Sequence, residues 1–575
     1  MTAAIVGIDV GTTACKGLLL GLDGAVLAEA SAAQPQFAPQ PGWAEADAAA
    51  WWANACAVAR ELLARAPGVE VRGVGVAGML PALLLLDAEE EPLRRSIQQN
   101  DARTGTEIEA MRAATDEAAF LARTGSPISQ QSIGPRVRWL RTHEPGTMAR
   151  VARICGSYDY VTYKLTGALG VERNWALESG LYDLGTADWA DDLLALGQVE
   201  RDWLPPLRWP TEVVGAVTPG AAEVSGIPAG TPVCTGSADH IASALATGCV
   251  EEGDLLLKIG GSADILYTTA RGEPHPQLFL DYHDVPGRFV INGCMASGGA
   301  LLHWFVEQFC RDVPGPNRYA TLDAEAAAVP PGCEGLTVLP YVQGEKTPIF
   351  DPAARGVLSG FTLAHTRAHV YRAILEAFAF GFRHHLDVLR EAGHEPRRAL
   401  ISDGGARSAL WRQIVADATG LRVMWCDHPR AGRWGRRWRR GVAVGAWDWE
   451  MALRRRSRAG RREPDGATTA AYERAYRAYR LYPALKGYFP HGEWRRGCGA
   501  MREQVAAWGR ALRRVIAPGA RAATPDTAPE TPGVDGAAGC RRRRCASALR
   551  ERRSGAVPEV GQRSMAAIEQ GLGWR

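Results

Sequence analysis

Three short stretches join glycine to hydroxyl or carboxylate side chains in a way that suits an anionic ligand. In the first, "GIDVGTTACKG", Asp9 interrupts an apolar β-branched run that stops at Gly11, Thr12 and Thr13, and Lys16 lies on the next run. Read by period, this is a β-hairpin with polar chemistry at its tip; an aspartate that merely caps its own turn is the alternative. The second stretch, "DLLLKIGGSADILYTT" at 254–269, repeats the layout around Gly260, Gly261 and Ser262 with hardly any shared sequence. In the third, "ALISDGGARSALWRQIVADATG", a strand runs into Asp403, Gly404, Gly405 and Ala406, followed by a helix whose N-terminus is free to face a ligand. Two tips aimed into one cleft would offer backbone N–H groups from both sides to a phosphate chain. The glycines of the third stretch permit the close backbone approach that a flat base or ribose needs; alone, a Gly-Gly before a helix is more often a tight packing turn, but its place behind two hairpin tips favours the ligand.

The elements that must carry these tips read as an α/β pattern. "VEVRGVGVAGMLPALLLLD" and "TPVCTGSADHIASALATGCV" each alternate a strand-like run with an apolar or Ala-rich one. At 575 residues the chain exceeds a single core, since a domain takes about 150 residues. Two hairpins, each opening roughly half of it, predict two domains of similar architecture facing across a cleft.

Composition narrows the function classes. Hydrophobic residues make up 46% and charged residues 22%, ordinary for a globular protein. No run is long enough to span a membrane and no charged-then-apolar leader is present, so a cytoplasmic location is expected, without membrane partners. The twelve cysteines form no CxxC pair or His-Cys cluster, which argues against structural zinc and a disulfide framework. The net charge of +3 conceals an asymmetry: residues 1–490 carry −5, and only the tail is basic.

In order along the chain, "GIDVGTTACKG", "LLDAEEEPLRRSIQQNDART", "GPRVRWLRTHEP", "GIPAGTPVCTGSADHIASAL", "GVLSGFTLAHTRAHVYRAILEAFAFG" and "DGGARSALWRQIVADATG" resemble the FGGY family of carbohydrate kinases, in the actin-like ATPase superfamily, and most of all its xylulokinase branch. Gly356, Gly360, His369 and Glu376 stand at the spacing of the family's C-terminal signature. The resemblance covers about residues 4–490. It implies two ribonuclease-H-like domains, an N-terminal one at 1–247 on the sugar and phosphate side and a C-terminal one at 248–490 on the nucleotide side. They would close over ATP-Mg²⁺ and a small sugar or polyol, a ketopentose such as xylulose first.

Site roles follow from the same resemblance, each beside a plainer one. Asp239 of "GSADH" would be the general base that takes the proton of the attacking hydroxyl, and otherwise an N-cap of its helix. Asp9 would hold Mg²⁺ through water. Thr12, Thr13 and Lys16 would contact the terminal phosphates, Lys16 being otherwise a solvated strand-end charge. Gly260, Gly261 and Ser262 would form the facing phosphate tip, with Gly261 replacing a hydroxyl the family commonly has. Gly404, Gly405 and Ala406 would lie along the nucleotide. Asn100, Asp101 and Arg103 match a block that can face the sugar, or are a plain solvated loop.

Three departures stand against the resemblance. Where xylulokinases commonly carry Gln-Met-His-Gly, this chain has Met79, Leu80, Pro81 and Ala82, with no polar handle. Arg433 to Arg439 place four arginines and two tryptophans where the family has a helix of small residues beside adenine. Unpaired guanidinium groups are too costly for a packed wall, so this helix is displaced, is a basic patch, or reflects two compensating frame changes in the gene. Residues 491–575 are rich in Arg, Ala, Pro and Gly, lack Lys, and are expected to be disordered rather than a nucleic-acid arm. A homodimer is compatible with all of this. Two other functions stay open at this point: an actin-like nucleotide-binding protein without sugar chemistry, and a catalytically impaired relic of the family.

Overall fold

The chain was analysed as a computed structural model that describes residues 2–351, 354–425 and 460–481. The arginine-rich stretch at Arg433 to Arg439 and the tail at 491–575 lie outside the described residues.

The first hairpin forms as its sequence period requires. β1 (Ala3–Val10) and β2 (Ala14–Gly21) pair antiparallel, and β3 (Val26–Ala33) continues the meander. β1 then pairs in parallel with β4 (Glu70–Gly78), and β4 with β6 (Pro232–Ala238). Parallel neighbours need a crossover, and the helix α1 (Ala48–Arg65) supplies the first one, its N-terminus capped by Asp47 accepting from the Ala49 N–H at 2.9 Å. α1 seats Trp51, Ala55, Val58 and Leu62 on the sheet, a 3.6-period stripe. With β5 (Val213–Ala216) at the edge, the order is β5-β6-β4-β1-β2-β3.

The second sheet repeats that plan. β7 (Asp254–Ile259), β8 (Ala263–Thr269) and β10 (Phe289–Met295) are the antiparallel meander, and β9 (Phe279–Tyr282) pairs onto β10. β11 (Arg398–Ser402) and β12 (Val423–Trp425) add in parallel beside β7, and β13 (Gly460–Arg462) closes the edge. The order is β9-β10-β8-β7-β11-β12-β13. Three antiparallel strands followed by two parallel ones, twice, is the ribonuclease-H-like duplication anticipated from the two hairpins.

Each lobe has its own core, and strand alternation joins them. Leu255, Leu257 and Ile259 point into the second lobe's core, while Leu256 between them joins the first lobe's cluster together with Leu266, Val290 and Leu400. Near the end of the described chain, the helix Thr469–Tyr479 buries Tyr472, Tyr476 and Tyr479 around Phe380 of the long helix Arg367–Glu391.

This topology places the chemistry. Asp9, Asp239, Gly260 and Asp403 all sit at or just beyond the carboxyl ends of β1, β6, β7 and β11. In open α/β sheets that rim is where ligands bind, because the strands end there and leave a crevice.

Candidate active site

The first wall is built on the β1–β2 tip and on the start of the helix α4 (Asp239–Thr247). Asp9 and Lys16 occupy facing register positions. The tip is held by Gln34, whose N–H donates to the Thr13 carbonyl at 2.8 Å and whose side-chain Nε2 donates to the Gly11 carbonyl at 3.0 Å. Thr12 and Thr13 are half-buried, with the Thr12 hydroxyl 3.6 Å from Met79 Sδ. Asp239 is the first helical residue of α4; Ala238 holds the N-cap position, so the aspartate is not the cap. Its side chain is 42% exposed.

The second wall is the β7–β8 tip. Lys258 and Asp264 face each other in register with Nζ 3.3 Å from Oδ2. Burial would pull the Lys258 ammonium down, but the carboxylates of Asp264, Asp239 and Asp403 outweigh it and hold it charged. Gly260, Gly261 and Ser262 form the tip, pinned to the helix α5 (Gly299–Phe309) where Gly299 N–H donates to Gly260 at 2.7 Å and Ala300 N–H to Gly261 at 3.2 Å. A side chain at Gly298 would collide with the Ser262 carbonyl, and one at Gly299 would come 2.7 Å from the Gly260 carbonyl. A Cβ at Gly261 would meet nothing within 4 Å, so this face of the tip opens on space.

Asp403 has a left-handed backbone, φ +68°, and is half-buried. Burial raises its carboxyl, and Lys258 and Lys16 oppose that shift. Lys16 from the first hairpin, Lys258 and Asp264 from the second, Asp403 from the third stretch and Asp239 therefore act on one another electrostatically across the cleft. One detail differs from the sequence reading. The helix after Asp403 begins at Ala409, behind a 3₁₀ turn at Gly404–Arg407, and Ser408 closes its N-terminus by accepting from Trp411 N–H at 3.0 Å. Gly405 packs against Ile259 and Trp411, so the packing-turn reading applies to that glycine, whereas Gly404 has only the Ile259 carbonyl, 3.9 Å from where its Cβ would be.

The proposed sugar block behaves differently at its three positions. Asn100 is exposed. Asp101 accepts from Ala44 N–H at 2.6 Å and from Arg103 at 2.7, 2.8 and 3.0 Å. Arg103 also donates to Glu45 at 2.9 Å and lies over Trp43 and Trp139. Asp101 and Arg103 are thus engaged with the protein itself, while Met79, Leu80, Pro81 and Ala82 are buried.

Lys258, Asp264 and Gly298 escaped the sequence reading. The signal for the last was present: "SGGALLHWF" is a Gly-Gly before a helix, the same pattern recognised at Gly404. The lysine and the acid become visible only once the hairpin register pairs them.

The model of the FGGY family of carbohydrate kinases, N-terminal domain, matches residues 4–246, and that of its C-terminal domain matches residues 257–438. The crystal structure of xylulose kinase from Rhodospirillum rubrum aligns with a TM-score of 0.79 and 43% identity, covering 84% of this chain and 99% of that one. Xylulose kinase of Escherichia coli K12 is 29% identical over 421 residues, 73% of this chain and 85% of its own length. Xylulose kinase of Bacillus subtilis 168 is 29% identical over 436 residues, 75% and 86% of the two.

Proposed function

Because the chain belongs to the FGGY family of carbohydrate kinases, and so is an ATP-dependent sugar kinase, we propose that its substrate is a ketopentose such as xylulose and that Asp239 is the base. The observation that carries the reading is the placement of Asp239. It heads α4 at the sheet rim, half-exposed, within electrostatic reach of the mostly buried Lys258 of the opposite wall. Phosphoryl transfer asks the protein for in-line positioning, charge neutralisation and a proton acceptor. Asp239 accepts the hydroxyl proton. Lys16, Thr12 and Thr13 face the terminal phosphates, and the amides of Gly260, Gly261 and Ser262 approach them from the other side. Gly404, Gly405 and Ala406 border the nucleotide.

Oxygen donors at the first tip suit a hard cation, and Asp9 is the carboxylate that would hold hydrated Mg²⁺ there. Bound Mg²⁺ supplies charge neutralisation on the transferring phosphoryl group. The division at residues 247 and 248 belongs to the same reading and is supported by the positive φ of Gly248 where α4 ends. Among the described residues no helix is long and apolar enough to cross a membrane. A cytoplasmic site of action fits a substrate drawn from sugar metabolism. The family match disfavours a nucleotide-binding protein without sugar chemistry.

Of the residues first assigned to the sugar, the exposed Asn100 keeps that role; Asp101 and Arg103, bonded to each other and to Ala44 and Glu45, hold that loop in place. The test is a kinase assay with ATP-Mg²⁺ over ketopentoses, pentitols and glycerol. Phosphorylation of xylulose in preference to the others is expected. Preference for a pentitol or glycerol rejects the substrate assignment, and a thermal shift by ATP-Mg²⁺ that survives in Asp9→Ala rejects the role of Asp9.

A further inference from the structure

The residue after Asp239 is a histidine held between carboxylates from both lobes. His240 Nε2 lies 3.0 Å from Asp281 Oδ2, and its Nδ1 lies 3.6 Å from Asp239 Oδ1. Asp281 belongs to β9 of the second sheet and is completely buried. Glu178, at the end of the helix Arg173–Glu178, closes the third side with Oε1 4.0 Å from His240 Nε2, and its Oε2 accepts from Gln131 at 3.0 Å. β9 is fastened to the first lobe at the same place. Asn174 donates to the Tyr282 carbonyl at 3.0 Å and accepts from the Tyr282 N–H at 2.7 Å, and Ser237 donates to Asp284 at 3.0 Å.

Two buried carboxyl groups, Asp281 and Glu178, beside one buried imidazole and the half-exposed Asp239 cannot all carry their aqueous charge. Burial, reinforced by Asp281, pushes the Glu178 carboxyl well up, so it keeps its proton. That proton lets Glu178 donate to Asp281, whose Oδ1 otherwise has no donor. Burial alone would push the His240 imidazole down, but the carboxylates of Asp281 and Asp239 outweigh it and keep the ring charged. The remaining charges around the group are Lys258, which acts on Asp239, and Arg136 and Lys346, which act on Glu178. Asn292 approaches Asp281 at 3.4 Å. The result is an imidazolium that donates Nε2–H to Asp281 and presents Nδ1–H to Asp239.

We propose that His240, anchored on Asp281 of the second lobe, is a positioning residue for phosphoryl transfer, fixing the Asp239 carboxylate and balancing its charge. The proposal rests on Asp239 being the base. One Asp239 oxygen, Oδ1, then faces the imidazolium. The anchor lies on the opposite lobe, so the base is set only while β9 stays docked against Asn174.

The test compares His240→Gln, Asp281→Asn and Asp239→Asn in the full chain, with kcat and KM for sugar and ATP measured across pH. A positive charge beside a carboxylate lowers its pKa, so removing it raises that pKa. His240→Gln is therefore expected to lose about 10- to 100-fold in kcat with KM for ATP near the parent value, and the acidic limb of kcat moves up by about one pH unit. Asp281→Asn moves the limb the same way. Unchanged kcat in both variants, or a fall in kcat with the limb unmoved, overturns the proposal, the second outcome marking a purely structural role. Near-normal turnover in Asp239→Asn overturns the base assignment instead. Should His240→Gln fail to fold, Asp281→Asn and His240→Asn carry the same readout.

Discussion

The two lobes share one topology and bring opposite kinds of groups to the cleft. The first lobe offers side chains: Asp9 and the Thr12 and Thr13 hydroxyls at one tip, and Asp239 at the head of α4. The second offers backbone: Gly260, Gly261 and Ser262, braced from behind by Gly298 and Gly299. Even the cross-strand pair is inverted. In the first hairpin the acid precedes the lysine, Asp9 facing Lys16; in the second, Lys258 precedes Asp264 and the two form an ion pair. Carboxylates and hydroxyls handle protons and hydrated cations, whereas a row of amides is a fixed dipole array suited to phosphate oxygens. Under the proposed roles the duplication divides the work, with the base, the cation's carboxylate and the hydroxyls facing the phosphates on one wall and a cradle of backbone amides for those phosphates on the other.

That division is broken most directly by Asp239→Asn. A base on the first wall predicts a fall in kcat of at least about 100-fold with ATP affinity retained, read by steady-state kinetics beside a nucleotide titration. Near-normal kcat would place the chemistry elsewhere. Equal loss of ATP affinity would mean that the walls do not divide the work.

Asp264→Asn is next in size. It strips Lys258 of its ion-pair partner in a site where both side chains are mostly buried, so stability is expected to fall by about 2 kcal/mol, measured by denaturant unfolding. Lys258 would then lean on Asp403 and Asp239, the other carboxylates that act on it. A neutral outcome would show that those two already suffice.

Much of this division could be read from the chain before any coordinates, and the reason is local. Asp9, Gly11 and Lys16 lie within eight residues, Gly260 to Ser262 are consecutive, and a hairpin is written in its own period and turn. What could not be read depends on partners far apart in sequence. Arg103 reads from the sequence as a sugar ligand or part of a solvated loop because Trp43, Glu45 and Trp139, which enclose it, lie scattered over nearly a hundred positions. His240 carries no signal in the sequence because Glu178 and Asp281 reach it from different lobes. Gly404 and Gly405 were read as one unit, yet only the coordinates separate the glycine that packs from the one that stays open.

A smaller effect is expected at the brace behind the second tip. Gly298→Ala places a methyl against the Ser262 carbonyl, which is backbone and has no rotamer to escape into. The tip must shift, and KM for ATP is expected to rise about tenfold while kcat at saturating ATP changes little. A fall in kcat with KM unchanged would place the brace in the chemical step.

The finest test is Gly261→Ala. Its Cβ would meet nothing within 4 Å and its φ is not in the left-handed region, so the folded protein has room for the methyl. Alanine also narrows the unfolded ensemble, which favours the folded state by about 0.5 kcal/mol. Melting of the free protein should therefore be unchanged or slightly raised. If the open face of that tip is where phosphate oxygens approach the amides, the same methyl stands in their way and ATP affinity falls by a few-fold. Stability and affinity then move in opposite directions at one residue, which a packing role cannot produce. Unchanged affinity would mean that the phosphates are held by Gly260 and Ser262 on either side, and the amide at Gly261 would drop out of the cradle.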